Sequence, residues 1–249
     1  MTGTRLNTKI VLALSVSLLC FQCKTILSRK SERDNDGRQK SYLVKRSGIS
    51  PKIIADRPLI LGNYMGDKPA HFPDTRVRMR YDKDYIYVKF SVKDKYVKAV
   101  AKEINGKVWM DSCVEFFFSP GPDTERGYFN FEANCKGVFL FQYHLGKGGT
   151  SGFLSKEDCE KVRISSSLKR SVEQEIEEPL EWRLEYSIPL SVMKKYMKVD
   201  EPGPGVSWRA NFYKCADQTS HPHWLTWAPV DYPRPKFHLP EFFGRLIFE

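Results

Sequence analysis

The chain has 249 residues, 41% hydrophobic and 13% aromatic, which allows one all-β domain plus a leader, or two small domains, and excludes wholesale disorder. Its net charge is +10, but residues 24–52 carry nine Lys or Arg against three acidic residues, and residues 53–249 are close to neutral. A groove that follows phosphates needs its basic residues on the folded surface, so this distribution argues against a nucleic-acid partner.

The N-terminus has the pattern of an export signal over residues 1–23. Two basic residues precede an apolar run at 10–21 that is too short to span a bilayer comfortably. An uncleaved interfacial anchor is the alternative. A lipid-modified Cys20 or Cys23 ranks second to ordinary secretion, because neither cysteine follows a small residue. We therefore expect an exported protein that is secreted, periplasmic or at the cell surface.

Residues 24–48 are rich in charge, contain few apolar residues and show no periodicity. This composition predicts a flexible tether between the export signal and a folded domain at 49–249.

The folded domain is dominated by strand patterns. Alternating apolar residues at 75–81 and 85–92 flank a short polar turn and predict a hairpin. A helical pattern occurs only at 190–197, after Pro189. Many short strands with Gly and Pro turns predict an all-β antiparallel sandwich or barrel. The further predicted strands are 112–118, 128–134, 137–145, 161–168, 181–188, 206–214 and 244–248.

Two of these strands have a polar face that could hold a ligand. Alternation places Glu115 on the face of its strand away from the core, and Glu132 and Asn134 on that of the next. If the two strands pair, Glu115 lies near Glu132 or Asn134, with Trp109 at the rim. Carboxylates, an amide and a tryptophan suit a sugar, whose C–H face stacks on an aromatic ring while its hydroxyls form hydrogen bonds. Polar residues on a strand that simply faces solvent are the alternative.

Four cysteines remain once the leader is removed. Export permits disulfides, and four cysteines allow three pairings. Alternation places Cys113 and Cys135 on opposite faces, which disfavours that pair, and the other pairings stay open. No histidine or cysteine spacing is that of a metal site. The cysteines are Cys113, Cys135, Cys159 and Cys215.

Several segments, in order along residues 50–249, resemble family 9 carbohydrate-binding modules. The hairpin at 75–92 also fits the second and third strands of that family. The segments are WMDSCVEFFF at 109–118, FEAN at 131–134, WRANFY at 208–213, WAP at 227–229 and FHLPEFFG at 237–244.

The resemblance implies a β-sandwich related to the DOMON superfamily that holds the end of a sugar chain between two aromatic residues. Trp109 matches the first aromatic and Glu115 a sugar-contacting carboxylate. Phe237 stands where the second tryptophan would be. Arg234 stands where a contacting asparagine would be, and Glu132 where an arginine would be. These departures concern the identity of the ligand more than the fold.

The function implied is a free-standing, monomeric, non-catalytic protein that binds an oligo- or polysaccharide in support of its breakdown. A separate glycoside hydrolase is the expected partner. No resident cofactor is expected. The resemblance allows structural calcium, although the sequence contains no calcium-loop pattern.

Three other functions stay open. Glu115 and Glu132 could form the acid/base pair of a glycoside hydrolase, which needs two carboxyl groups about 5–9 Å apart. A haem-binding DOMON domain would use Met65, Met79 or His144 as iron ligands. The sandwich could also have lost sugar binding.

Overall fold

The computed structural model describes residues 40–48, 57–170 and 172–249. Strands dominate these ranges, in which no helix is long and apolar enough to cross a membrane. The predicted export signal and the tether up to residue 39 lie outside the described residues.

The described residues form fourteen strands and two short α-helices. Helix α1 (Lys156–Cys159) and helix α2 (Leu190–Met193) are single turns. The strands are β1 (Ser41–Arg46), β2 (Leu59–Ile60), β3 (Asn63–Tyr64), β4 (Asp74–Tyr81), β5 (Tyr85–Asp94), β6 (Cys113–Ser119), β7 (Gly127–Asn134), β8 (Phe139–Leu145), β9 (Ser151–Phe153), β10 (Arg163–Ser166), β11 (Leu180–Pro189), β12 (Ser207–Cys215), β13 (Trp224–Thr226) and β14 (Gly244–Phe248).

One continuous sheet folds over itself to make the sandwich. Its strand order is β10-β11-β5-β4-β1-β14-β12-β6-β7-β8-β9, with β2, β3 and β13 attached at the side. The half containing β4 and β5 packs on the half containing β6, β7 and β12, and β1 joins the two. The predicted all-β sandwich is confirmed.

The core between the halves follows from the alternation of apolar residues. On β5, Phe90 points inward and meets Phe212 of β12, with ring centroids 6.1 Å apart. Phe131 of β7 similarly meets Tyr186 of β11 at 4.3 Å. Each fully buried ring of this kind stabilises the fold by roughly 1.5–3 kcal/mol.

Strand β1 corrects the predicted tether. Ser41–Arg46 lies in the sheet, where it pairs in parallel with β14 through residues 41–44 and with β4 through residues 45–46. The side chain of Val44 is fully buried. The folded domain therefore begins before residue 49, whereas residues 49–56 lie outside the described ranges.

The predicted helix at 190–197 is shorter than expected, because α2 ends at Met193 and residues 194–196 form turns. The sequence does not predict α1. Ser155 caps this helix by accepting a hydrogen bond from the backbone N–H of Asp158. A single helical turn is too short to produce a detectable periodicity.

Candidate functional site

Strand register brings the predicted carboxyl groups together on the outer face of one half of the sheet. Glu115 of β6 lies directly opposite Glu132 of β7 and, on its other side, Tyr213 of β12. Glu132 in turn lies opposite Leu140 of β8. The predicted pairing of these strands, with Glu115 close to Glu132, is confirmed.

This face is covered rather than open. The ring of Phe237 stacks on Tyr213 with centroids 4.1 Å apart, and the Tyr213 hydroxyl donates to the Phe237 carbonyl at 3.2 Å. Beneath this cover Glu115 is 2% exposed and Glu132 5%. The alternative, in which these polar residues simply face solvent, is wrong for this face, because the chain after β13 folds back over the strands.

The cover leaves a partly open cavity of about 310 Å³. This volume is within the range of small-molecule sites. Its wall combines apolar faces with a few polar groups. The aromatic lining residues are Trp109, Phe117, Phe153, Trp224 and Phe237, and the acidic ones are Glu115, Glu132 and Asp217.

Four of the six predicted site residues line the cavity: Trp109, Glu115, Glu132 and Phe237. The other two do not. The Asn134 side chain is buried at the end of β7, where it donates to Asp111 at 2.9 Å. Its carbonyl oxygen also accepts from backbone N–H groups, including that of Val138 at 3.1 Å, so it has a structural role.

Arg234 is exposed on the covering segment and is not among the lining residues. The nearby lining cation is Lys236. A shift of two residues within an irregular loop lies beyond what spacing along the sequence can resolve.

Sequence reasoning missed Asp217 and Trp224. The indole N–H of Trp224 donates to the Asp217 carboxylate at 2.8 Å, which fixes both side chains at the cavity wall. Trp224 follows a loop rich in His and Pro, which gives no strand pattern to place it. Its strand, β13, has three residues, too few to show alternation.

Burial controls the protonation of the cavity carboxyl groups. Burial raises the pKa of Glu115 well above its usual value, and Cys215 and Glu132 raise it further. Burial also raises the pKa of Glu132 to about 7, against the lowering effect of a hydrogen bond from Asn130. The pKa of Asp217 is raised by burial as well. A carboxyl group that keeps its proton can both donate to and accept from a ligand hydroxyl.

Asn130 orients the polar wall. Its amide nitrogen donates to Glu132 at 2.8 Å and to Gln142 at 3.1 Å. Its carbonyl oxygen lies 2.8 Å from Nε2 of His144, which is therefore the donor in that contact. Burial lowers the pKa of His144, so the ring is neutral and Nδ1 can accept from the Ser151 hydroxyl at 3.0 Å. The side-chain oxygens of Glu132 and Gln142, which both line the cavity, are thus held in fixed positions.

The haem ligands suggested by the sequence do not converge. Met79 belongs to the cluster between the two halves of the sheet, whereas Met65 belongs to the separate cluster under the covering segment. Both ring nitrogens of His144 already have hydrogen-bond partners. This arrangement does not favour iron ligation.

Among the residues described, a group that could hold a metal consists of Cys113, Glu115 and Cys215. Two thiols do not suit calcium, which prefers oxygen ligands. The calcium allowed by the resemblance therefore has no fit at this cluster.

The chain is similar in sequence to a known protein family and to a known protein. The profile of Carbohydrate-binding family 9 matches residues 61–248. An extracellular protein of Arthroderma benhamiae is 26% identical over 188 residues, which are 71% of this chain and 79% of that protein.

Solved structures with the same fold include a candidate carbohydrate-binding protein from Bacteroides uniformis. It is 34% identical, and the match covers 85% of this chain and 100% of that one, with a TM-score of 0.72. A family 9 module from Caldicellulosiruptor kristjanssonii, solved with glucose and with cellotriose, is 14% identical with a TM-score of 0.54. That match covers 84% of this chain and 96% or 94% of the module.

Proposed function

The chain belongs to carbohydrate-binding family 9, and from this premise we propose that it binds the end of a sugar chain in the cavity beside Trp109. The observation that carries the proposal is the meeting of aromatic side chains and carboxyl groups in one cavity of about 310 Å³. A pyranose ring has an apolar C–H face and a rim of hydroxyls, and such a wall provides contacts for both.

Two groups of side chains have distinct roles in this proposal. Trp109 and Phe237 provide stacking faces, with Trp224 as a further aromatic wall. Glu115 and Glu132 on the floor bind hydroxyls, and Asn130 holds the latter carboxyl group in place. The cover formed by Phe237 over Tyr213 supports binding of a chain end rather than the middle of a long polymer.

The first ligands to test are glucose and short β-glucans. The Caldicellulosiruptor kristjanssonii module is similar in fold and was solved with glucose and with cellotriose. Within this proposal the protein acts as a monomer outside the cell. There it supports polysaccharide breakdown by a separate glycoside hydrolase, which agrees with the extracellular description of the Arthroderma benhamiae relative.

A hydrolase function is less well supported. Glu115 and Glu132 are neighbours across two strands, but burial raises the pKa of both. Glycosidases use one protonated and one ionised carboxyl group, whose environments push their pKa values apart. Family 9 is a binding family, so this proposal contains no catalytic step.

Calorimetric titration of the full chain with glucose, cellobiose and cellotriose tests the proposal. Trp109→Ala should weaken binding about fivefold or more, which corresponds to the loss of roughly 1 kcal/mol from a stacked aromatic. Phe72→Ala, at an aromatic that is 40% exposed and does not line the cavity, is the matched control.

A second variant separates binding from folding. Phe153 lines the cavity but is 49% exposed, so Phe153→Ala leaves no core void. Weaker binding with an unchanged Tm would support the site. If all three sugars bind the control and both cavity variants equally, or bind none of the proteins, this cavity is not the sugar site.

A further inference from the structure

Two cysteines meet on the floor of the cavity. Cys113 of β6 and Cys215 of β12 lie directly opposite each other in the antiparallel pair. Glu115, two residues further along β6, is on the same face. One sulfur or carboxyl oxygen from each of the three residues lies within 4.8 Å of the others. All three residues are at least 98% buried.

One oxygen of this cluster has no partner. Cys215 donates to Oε1 of Glu115 at 3.0 Å, but Oε2 is buried and receives no hydrogen bond from any described residue. A buried carboxyl oxygen without a hydrogen-bond partner is unfavourable. The ammonium of Lys214, the neighbouring residue on β12, does not bind this oxygen, because it donates to His223 and forms an ion pair with Asp94.

We propose that Cys113, Cys215 and Glu115 bind a thiophilic divalent cation, with zinc as the first candidate. Zinc takes thiolate and carboxylate ligands in tetrahedral geometry. With Zn–S bonds of about 2.3 Å, two sulfurs on one ion are roughly 3.8 Å apart, which agrees with the spacing of the cluster. Magnesium and calcium are excluded by the two sulfurs.

The fourth position of the ion would face the cavity. Cys215 and Glu115 both line the cavity, so an ion can enter from it and keep a water molecule there. Three protein ligands plus one open position is the arrangement of zinc sites that exchange a ligand. In the absence of sugar the ion thus provides the missing partner of Glu115 Oε2.

Protonation of the ligands sets how binding depends on pH. Zinc binds cysteine as the thiolate, so binding must release the protons of the two thiols. Zinc affinity should rise with pH, as expected when a metal ion replaces bound protons.

The test uses the full chain, purified under reducing conditions, stripped with a chelator and titrated with zinc in the absence of sugar. We expect one zinc per chain. Cobalt(II) at the same site should give thiolate-to-metal charge-transfer absorption. Bound zinc should also protect two thiols from alkylation. These readouts need no substituted protein and do not depend on the proposed sugar binding.

Substitutions identify the ligands. Cys113→Ser and Cys215→Ser should each reduce zinc affinity by roughly 100-fold or more, since even residues that only support metal ligands cost 10–100-fold. Cys159→Ser, at a buried cysteine on α1, should retain it. The inference is overturned if cobalt shows no thiolate absorption or if the control loses as much affinity as the ligand variants. It is also overturned if the protein isolated without reductant contains a Cys113–Cys215 disulfide, detected as a mass lower by two hydrogens.

Discussion

At the scale of single residues, Glu132 links the cavity to stability. Burial raises its pKa from 4.5 to about 7. The folded protein therefore holds this proton more tightly than the unfolded chain. The resulting stabilisation is complete below pH 4.5 and is lost as the pH rises towards 7. Glu132→Gln keeps the acceptor for Asn130 and has no proton to lose, so the variant should lose less stability across this window, by at most about 3 kcal/mol.

Urea denaturation at a series of pH values measures this difference. Glu178→Gln, at an exposed position, controls for the loss of one carboxyl group. If the stability of Glu132→Gln follows that of the wild type in parallel from pH 4.5 to 7, burial does not raise the pKa of Glu132 in the folded protein.

The carboxyl pair was predictable because strand alternation is a local property. Glu115 and Glu132 follow from period two and one hairpin, and the structure has them opposite each other. Asn134 follows the same alternation but lies at the end of its strand, where Asp111 binds it. Alternation predicts on which face of the sheet a side chain lies. It does not predict the hydrogen-bond partners of that side chain, because these come from other segments of the chain.

At the scale of elements, β1 is the strand that closes the sandwich. It is the only described strand that pairs with both halves, through β14 and β4. Without it β14 and one end of β4 would each lose a paired strand, and the core would lose Val44. A chain that begins at Gly48 should therefore have a markedly lower Tm than one that begins at Lys40, measured by thermal unfolding.

The start at Lys40 is the matched control, because it keeps β1 and the Lys40 carbonyl that accepts from Arg245 at 2.9 Å. Equal midpoints for the two chains would mean that β1 contributes nothing and that the predicted tether does extend to residue 48. The sequence could not reveal this strand. Ser41–Arg46 is short, and its partners in β14 lie some two hundred residues further along the chain.

At the scale of the whole molecule, a buried ion pair connects the two halves of the sheet. The Lys214 ammonium on β12 lies 3.4 Å from the carboxylate of Asp94 on β5, and both side chains are at most 1% exposed. His71 and Trp182 also bond to Asp94, at 2.8 and 3.3 Å. Removing one member of such a pair leaves an uncompensated buried charge, so the pair acts across the sandwich as a unit.

The ion pair between Lys214 and Asp94 could not be predicted from the sequence. Lys214 continues the core face of Trp208, Ala210 and Phe212, where a charged residue is unexpected. The compensating carboxylate is on the other half of the sheet, 120 residues earlier in the chain. Composition and alternation predict the sandwich. An ion pair between its two halves depends on how the halves pack against each other, which these local patterns do not contain.

The same cluster should make the protein sensitive to acid through His223. Lys214 donates to Nε2 of His223 at 2.8 Å, so the ring is neutral and Nδ1 donates to the His221 carbonyl. Burial and Lys214 lower the pKa of His223 from 6.5 to about 3. Between these pH values the unfolded chain binds a proton that the folded protein does not bind. The free energy of unfolding therefore falls as the pH drops, by up to about 1.4 kcal/mol per pH unit.

In denaturant titrations from pH 6.5 to 3, the stability of His223→Gln should fall less steeply than that of the wild type and that of the control His221→Gln. Equal slopes for all three proteins would show that His223 takes up its proton in the folded state and that its contact with Lys214 does not hold the ring neutral.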